Sequence, residues 1–342
     1  MKAIAMRGHG GTEVLRAEEL PEPVPGPGQV RVRVRAVALN HLDVWVRKGW
    51  PGLMLSWPHL LGSDVAGVVD ALGPGVDGVA AGAEVVLNPG TSCGRCRACL
   101  SGMDVECRRY AILGEHVSGG YGEWVVVGAQ NVLPKPRNLS FEEAACVPLV
   151  FLTAWHALMS RARLRLGETV LIHAAGSGVG SAAVQIARLV GARVIATAGS
   201  AWKCEKALAL GAHHAIDYEK QDFLAEVRAL TGRRGVDVVF EHTGKRTWEK
   251  SLLATAVGGR VVTVGATTGY DPTTDLRHVF YRRLSLLGST MGSKGDLFDV
   301  LPLVEAGRLK PVLDRVLPLA EAAQAHDLLA SRAQFGKVVL VP

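Results

Sequence analysis

The sequence predicts an α/β protein with two domains, a compact antiparallel barrel-like domain followed by a doubly wound domain with a parallel sheet. Three observations predict this class. The chain has 342 residues, which is too long for one ordinary hydrophobic core. Short alternating strands divided by Gly and Pro fill roughly the first 130 residues. Strands that are apolar throughout alternate with helical patterns from about residue 150 onward.

The N-terminal region is rich in Val, Gly and Pro. Alternating runs predict strands at 29–39, 64–72, 83–89 and 122–128, and turn signals separate them at 21–28, 73–78 and 90–94. In the first run Arg31, Arg33 and Arg35 alternate with valines, so we expect these arginines on the solvent-facing side of a strand. Short strands divided in this way are typical of a barrel.

The second region has a different pattern. Apolar runs predict strands at 167–176, 192–200, 235–244, 258–266 and 284–292, with helices at 179–192 and 203–210. Strands without a polar face are buried on both sides, as in a parallel sheet covered by helices. The C-terminal part is of mixed character and ends in a predicted strand at 336–342.

Composition excludes several classes of partner. The formal net charge is +6, but the basic residues are scattered, so nucleic-acid binding is not indicated. The first residues lack the apolar run of a signal peptide, and we find no uncharged apolar stretch of membrane-spanning length. We therefore expect a cytoplasmic protein that acts on a small molecule and binds neither nucleic acid nor membrane.

Four of the six cysteines form a Cys-x2-Cys-x2-Cys-x7-Cys run made of Cys93, Cys96, Cys99 and Cys107. Four thiolates complete the tetrahedral shell of Zn²⁺ and leave no position for water or substrate, so such a site organises a loop and performs no chemistry. An iron–sulfur cluster is the main alternative. Disulfides would require an oxidising compartment. The spacing predicts one structural zinc per chain.

A glycine-rich turn follows the first strand of the second region. It contains Gly176, Ser177, Gly178, Val179 and Gly180. Glycines at such a turn let backbone N–H groups approach a pyrophosphate, whose charge is favoured at a helix N-terminus. The motif is imperfect because Ser181 stands where a strict G-x-G-x-x-G would have its third glycine. Its place between a strand and a helix still predicts dinucleotide binding.

The end of the second strand bears on the choice of cofactor. NAD-binding folds usually carry Asp or Glu there, to accept hydrogen bonds from the ribose hydroxyls. Here the segment is 197–200, which has no acid, and Ser200 and Lys203 lie where a 2′-phosphate would bind. We therefore favour NADP(H) over NAD(H). The alternative is that Lys203 is a solvated lysine and the site accepts either cofactor.

Several motifs together resemble the medium-chain dehydrogenase/reductase superfamily. They are LLGSDVAGVV (60–69), GPGVDG (73–78), the cysteine run, GGYGEWVVV (119–127), LTAWHAL (152–158), GETVLIHAAGSGVGSAAVQIA (167–187) and GKVVL (336–340). The resemblance implies a GroES-like β-barrel domain at 1–150 completed by 292–342, and a Rossmann domain at 151–291. It also implies an active site in the cleft between them, and a homodimer or homotetramer formed through the Rossmann sheets.

The resemblance fails at the catalytic zinc of the family's alcohol dehydrogenases. Motif alignment puts Asn40, Ser63 and Leu149 at the three ligand positions, and Leu42 and Trp45 at the proton relay. None of the three is a good zinc ligand. Cys146, three residues from Leu149, is interpreted as a small buried hydrophobe. A rearranged metal site built from His41, His59 and Asp64 is the alternative, although His41 fits better near the cofactor phosphates and His59 as a structural histidine.

The expected function is hydride transfer between NAD(P)H and a quinone, enone or related carbonyl without catalytic zinc. Such acceptors delocalise the incoming charge, so hydrogen bonds can replace a metal. Asn40 would donate to the substrate oxygen, Asp43 and Asp64 would position the pocket, and Trp45 would form an aromatic wall. Helix capping is the competing role for Asn40 and Asp43. The resemblance also places Thr153 and Gly265 beside the nicotinamide.

Two other classes of function stay open at this point. One is a zinc-dependent alcohol dehydrogenase with the rearranged metal site. The other is a nucleotide-binding protein with a structural or regulatory task and little turnover.

Overall fold

The computed structural model describes all 342 residues. The β-strands are β1 (Lys2–Met6), β2 (Arg16–Glu19), β3 (Gln29–Ala38), β4 (His59–Leu60), β5 (Asp64–Leu72), β6 (Glu84–Leu87), β7 (Gly90–Thr91), β8 (Ala111–Ile112), β9 (Trp124–Gly128), β10 (Val132–Pro134), β11 (Thr169–Ile172), β12 (Arg193–Ala198), β13 (His214–Asp217), β14 (Val236–Glu241), β15 (Thr255–Thr263), β16 (Ser285–Gly288), β17 (Leu313–Pro318) and β18 (Lys337–Val341). The α-helices are α1 (His41–Lys48), α2 (Arg97–Leu100), α3 (Phe141–Ala145), α4 (Pro148–Trp155), α5 (Gly178–Leu189), α6 (Ala201–Ala209), α7 (Phe223–Leu230), α8 (Trp248–Ala254), α9 (Leu276–Tyr281), α10 (Lys294–Glu305) and α11 (Ala322–Ala330).

The chain divides into two compact units. One contains Met1–Leu149 together with Ser293–Pro342, and the other contains Val150–Gly292. The sequence placed these borders at 150/151 and 291/292, so each differs by one residue. The predicted α/β class, with a barrel-like and a Rossmann-like domain, is confirmed.

The first unit is built on a mainly antiparallel sheet with the order β10-β6-β5-β3-β18-β17, in which only β17 and β18 run parallel, and β9 also pairs with β3. Alternation sets the faces of β3, where Val30, Val32 and Val34 are buried and Arg33 and Arg35 are exposed, as predicted. The C-terminal β18 lies antiparallel to β3, with Val339 opposite Ala38. This pairing brings residues from the two ends of the sequence side by side.

The second unit is a parallel six-stranded sheet with the order β13-β12-β11-β14-β15-β16. Its central strand β11 has no exposed residue, as expected for a strand covered on both faces. The chain runs from β11 outward to β12 and β13 and then returns to β14 on the other side of β11. In open α/β sheets, ligands bind at the carboxyl ends of the strands at such a topological switch point.

One segment meets the length and composition of a membrane-spanning helix, although charged residues lie at both of its ends. Residues Phe141–Arg161 are long and apolar enough to cross a membrane by composition alone. The segment folds as α3, α4 and a π-helical stretch, His156–Arg161. Because 72% of its most apolar window is buried inside the fold, it has the character of a core helix.

Candidate functional site

Asp43 joins the start of α1 to the turn before β5. One carboxylate oxygen accepts the backbone N–H of Asn40 at 2.7 Å, and the other accepts the N–H of Gly62 at 2.9 Å. Burial raises the pKa of Asp43 to about 6, even though both backbone hydrogen bonds and Lys337 act in the opposite direction. Asp43 is 1% exposed and therefore acts on the site through the backbone that it holds.

Asp64 is the centre of a closed polar network. It accepts the N–H of Leu149 at 2.6 Å, the side-chain amide of Asn40 at 2.9 Å and the ammonium of Lys337 at 2.8 Å. Lys337 also donates to the amide oxygen of Asn40 at 2.6 Å. The Lys337 and Asp64 side chains are 4% and 0% exposed, so this ion pair is fully desolvated.

The network bears on the expected role of Asn40. A donor to substrate needs a free amide hydrogen, but the Asn40 amide lies 2.9 Å from Asp64 and 3.5 Å from the carbonyl of Ala38. Its oxygen accepts from Lys337. Asn40 therefore links Asp64 to α1, and its amide group is directed at oxygen atoms of the protein.

The other two positions that correspond to zinc ligands, Ser63 and Leu149, offer no strong donor atom for zinc. Ser63 is fully buried and its hydroxyl has no hydrogen-bond partner, while Leu149 contributes only its backbone N–H. Of the proposed rearranged ligands, His59 directs Nε2 to the carbonyl of Gly114 at 3.1 Å, and Asp64 is engaged as described. Three or more metal-ligating side chains bring their ligand atoms together at one place, the Cys-rich cluster formed by Cys93, Cys96, Cys99 and Cys107. His41, His59 and Asp64 do not form such a group.

Four further candidate side chains, His41, Trp45, His59 and Cys146, belong to the first unit. His41 stands edge-on to Trp45 with ring centroids 5.0 Å apart, and both side chains are partly exposed. Cys146 is a buried thiol, as predicted, and burial raises its pKa to about 12. His59 is also buried, at 2% exposure, which agrees with a structural histidine.

The glycine-rich turn leads from β11 into α5. Ser177 is the N-cap residue of α5, and its hydroxyl accepts the N–H of Gly180 at 2.9 Å. A Cβ on Gly180 would lie 2.4 Å from the carbonyl oxygen of Ala174, so only glycine fits at this position. Gly176, Gly178 and Val179 complete the turn at the carboxyl end of the parallel sheet, which is the arrangement that receives a pyrophosphate.

The end of β12 carries polar groups. The Ser200 hydroxyl is buried and has no hydrogen-bond partner, and the Lys203 ammonium lies 5.2 Å from the centroid of the Trp202 ring. A Cβ on Gly199 would meet the Tyr218 hydroxyl at 2.6 Å, so Tyr218 packs directly on this turn. Tyr218 is not predictable from the sequence, because nothing in its local pattern distinguishes it from a surface tyrosine.

Thr153 and Gly265 belong to the second unit. Thr153 is 6% exposed, and its hydroxyl lies 4.0 Å from the sulfur of Met291. Gly265 follows the end of β15, and its carbonyl accepts the Thr263 hydroxyl at 3.3 Å. The expected contacts of both residues with the nicotinamide stay predictions.

The four cysteines of the run converge. Their sulfur atoms all lie within 4.8 Å of one another, with 3.5 Å between Cys96 and Cys99. The N–H of Arg95 and the side chain of Arg109 lower the pKa of Cys93 to about 5, whereas side-chain hydrogen bonds within the cluster and burial raise the pKa of Cys96 to about 11. A metal would therefore have to displace a proton from Cys96 to bind all four sulfur atoms. The donor set fits a tetrahedral zinc with no open position.

Comparisons with known proteins agree with this arrangement. Residues 26–137 match the alcohol dehydrogenase GroES-like domain family and residues 178–306 match the zinc-binding dehydrogenase family. The quinone oxidoreductase of Rattus norvegicus is 31% identical and covers 100% of this chain and 98% of its own length. The NAD-dependent alcohol dehydrogenase of Saccharolobus solfataricus is 32% identical and covers 96% of both chains. A crystal structure of an NAD-dependent alcohol dehydrogenase superposes with a TM-score of 0.97, 57% identity and full coverage of both chains.

Proposed function

The chain belongs to the medium-chain dehydrogenase/reductase superfamily and is an NAD(P)-dependent oxidoreductase, and from this premise we propose that it reduces a quinone, an enone or a related activated carbonyl without a catalytic metal. One observation carries the proposal. The residues at the metal-ligand positions are an amide already bonded within the protein, a single hydroxyl and a leucine. A catalytic zinc needs three strong protein donors, and this set supplies none.

The charge of the site supports an activated acceptor. Asp64 and Lys337 neutralise each other, and the Asn40 amide is used within the same network. No group at these positions can stabilise an alkoxide as zinc does. Quinones and enones need less help, because their own conjugation spreads the negative charge that a hydride brings.

The roles of the residues follow from their contacts. NAD(P)H supplies the hydride when it is bound. Asp43, Asp64 and Lys337 hold the start of α1 and the turn at Gly62, and the partly exposed Trp45 forms an aromatic wall against the acceptor ring. The reduced oxygen takes its proton from water, since the polar side chains of the network are bonded to one another.

We assign NADP(H) as the preferred cofactor. The turn after β12 has no carboxylate to repel a 2′-phosphate, the Ser200 hydroxyl is unpartnered, and Lys203 and Tyr218 lie beside the same turn. Two of the relatives above are named NAD-dependent. The ratio of KM for NADH to KM for NADPH decides the matter, and a tenfold preference for NADH would reverse the assignment.

The Cys-rich cluster would hold one structural zinc per chain. Cys93, Cys96, Cys99 and Cys107 would be its four ligands, and the ion would fix the loop between β7 and β8.

A second candidate function is alcohol dehydrogenation, and the 57% identical structure named as an alcohol dehydrogenase favours it. It would require a second metal, rearranged on His41, His59 and Asp64. The bond from His59 to Gly114 and the engagement of Asp64 would both have to break first.

We also propose that the protein is a homodimer or homotetramer that pairs through the Rossmann sheet. The edge strand β16 supports this, because it has no partner on its outer side and three of its four residues are exposed.

One experiment separates the two functions. Purified protein is analysed for zinc by mass spectrometry and assayed against quinones, enals and primary alcohols, each with both cofactors. The proposal expects one zinc per chain and oxidation of NADPH by quinones or enals. Two zinc atoms per chain with faster turnover of alcohols would replace it with the second candidate.

A further inference from the structure

A buried carboxylate stands beneath the glycine-rich turn and takes no part in the function above. Glu241, the last residue of β14, is 0% exposed. It accepts the N–H groups of Thr243 at 2.7 Å and Gly244 at 3.1 Å, the hydroxyl of Thr247 at 2.8 Å and the hydroxyl of Ser251 at 2.8 Å. The carboxylate therefore fixes the loop 242–247, which follows β14.

A buried histidine continues this network to the turn. His173 follows β11 and is 1% exposed. Its Nε2 lies 2.9 Å from the Ser251 hydroxyl, and its Nδ1 lies 3.2 Å from the hydroxyl of Thr197 in β12. The same Thr197 oxygen accepts the N–H of Ala174 at 3.2 Å. The backbone of the turn is thus tied to the side-chain network.

The chemistry of the four side chains fixes the direction of every proton. An ionised carboxylate only accepts, so Ser251 donates to Glu241 and must accept from Nε2–H of His173. Nδ1 then accepts from Thr197. Burial would raise the pKa of Glu241, but the hydroxyls of Ser251 and Thr247 and the N–H of Gly244 lower it, and burial lowers the pKa of His173. The ionised carboxylate and the neutral imidazole together satisfy all of these polar atoms.

The position of this hydrogen-bond network in the sheet suggests a role in cofactor binding. β12, β11 and β14 are neighbours, and their carboxyl ends form the topological switch point. The row of hydrogen bonds from Glu241 through Ser251 and His173 to Thr197 crosses that point. It joins the turn at 173–178 to the loop at 242–247, which lie on opposite sides of the crevice where a dinucleotide binds in such sheets.

We propose that Glu241, Ser251 and His173 are positioning residues of the dinucleotide site, which hold the turn and the loop in the geometry that receives the cofactor. They touch neither the reacting atoms nor the substrate. The inference rests only on the dinucleotide part of the proposed function and is independent of which carbonyl compound is reduced.

The first test removes the central hydroxyl of the hydrogen-bond network, that of Ser251. Ser251→Ala removes the hydroxyl that bridges Glu241 and His173 and leaves Nε2–H of His173 with only the Glu241 carboxylate, 3.7 Å away, so we expect Kd for NADPH and NADH to rise about tenfold. The value of kcat at saturating cofactor should change less than twofold. The matched control is Thr231→Val, which removes a hydroxyl bonded to Val227 and Gly235 before β14, far along the strand from the switch point. It should lower the stability and leave both Kd values unchanged.

The second test determines which ring nitrogen of His173 carries the proton. With selectively labelled histidine, NMR should show neutral His173 carrying its proton on Nε2, assigned by loss of the signal in His173→Gln. In Glu241→Gln the new amide donates to Ser251, Ser251 donates to Nε2, and the His173 proton moves to Nδ1. A Nδ1–H tautomer in the wild type, or Ser251→Ala with unchanged Kd, would overturn the inference. A wild-type protein that binds neither cofactor would overturn the proposed function as well.

Discussion

The ion pair between Lys337 and Asp64 gives the sharpest test of the site. Lys337→Met removes the ammonium and leaves a fully buried carboxylate with two N–H partners, from Leu149 and Asn40. Removing one partner of a buried pair costs ~3–5 kcal/mol. Because Asp64 keeps two donors, we expect the lower end, about 3 kcal/mol.

A double-mutant cycle with Asp64→Asn isolates the charge effect. In the double variant the side chain at position 64 is a neutral amide that can donate to the vacated oxygen of Asn40, so about half of the lost stability should return. Urea unfolding provides the measurement, with hydrogen exchange assigning the change to the first unit. Lys245→Met is the matched control, because its ion pair with Asp271 is largely exposed, and it should have no measurable effect. A loss below about 1 kcal/mol for Lys337→Met, or no recovery in the double variant, would refute the reasoning.

Further predictions concern four other places. Burial lowers the pKa of His326 to about 3, so the fold favours its neutral form; the wild type should lose about 2 kcal/mol relative to His326→Gln as the pH falls from 6.5 to 5, measured by urea unfolding at each pH. Cys99→Ser should reduce the zinc content from one atom per chain to near zero by mass spectrometry, and an unchanged content would remove Cys99 from the ligand set. Asp43→Asn turns an amide donor toward one of two backbone N–H groups and should cost about 2 kcal/mol at pH 8 in urea unfolding. Leu286→Asp, on the exposed edge strand, should shift the protein toward monomer in sedimentation velocity, and an unchanged oligomer would exclude this edge.

Elements with a clear sequence pattern were predicted well. The alternating run at 64–72 is β5 with the same bounds, and the run at 29–39 is β3 less its last residue. The missed elements have weak patterns. β13 is the four-residue segment HAID, and β17 has only partly buried or exposed residues, so neither contains the apolar run or strict alternation that marks a strand.

Site residues can be predicted when their motif lies within one short segment of the sequence, and not when their partners are distant in the sequence. The cysteine run and the glycine-rich turn are contained in short segments, so their spacing alone predicts them. Lys337 and Asn40 are 297 residues apart, and only the pairing of β18 with β3 brings them together. The partners of Asn40 could not be predicted for the same reason, because they lie outside its own segment.

Asn40 and its partners Asp64 and Lys337 make sense only as a set. An acidic residue at position 64 can be buried without a metal only if another cation balances it, and Lys337 supplies that charge from the C-terminal strand. Asn40 then fits because its amide donates to the carboxylate while its oxygen accepts from the ammonium. Such a closed network is neutral and offers nothing to polarise a substrate oxygen. Under the proposed function, the electrophilicity that a zinc ion would provide has to come from the substrate itself, and this requirement favours conjugated acceptors over simple alcohols and their aldehydes.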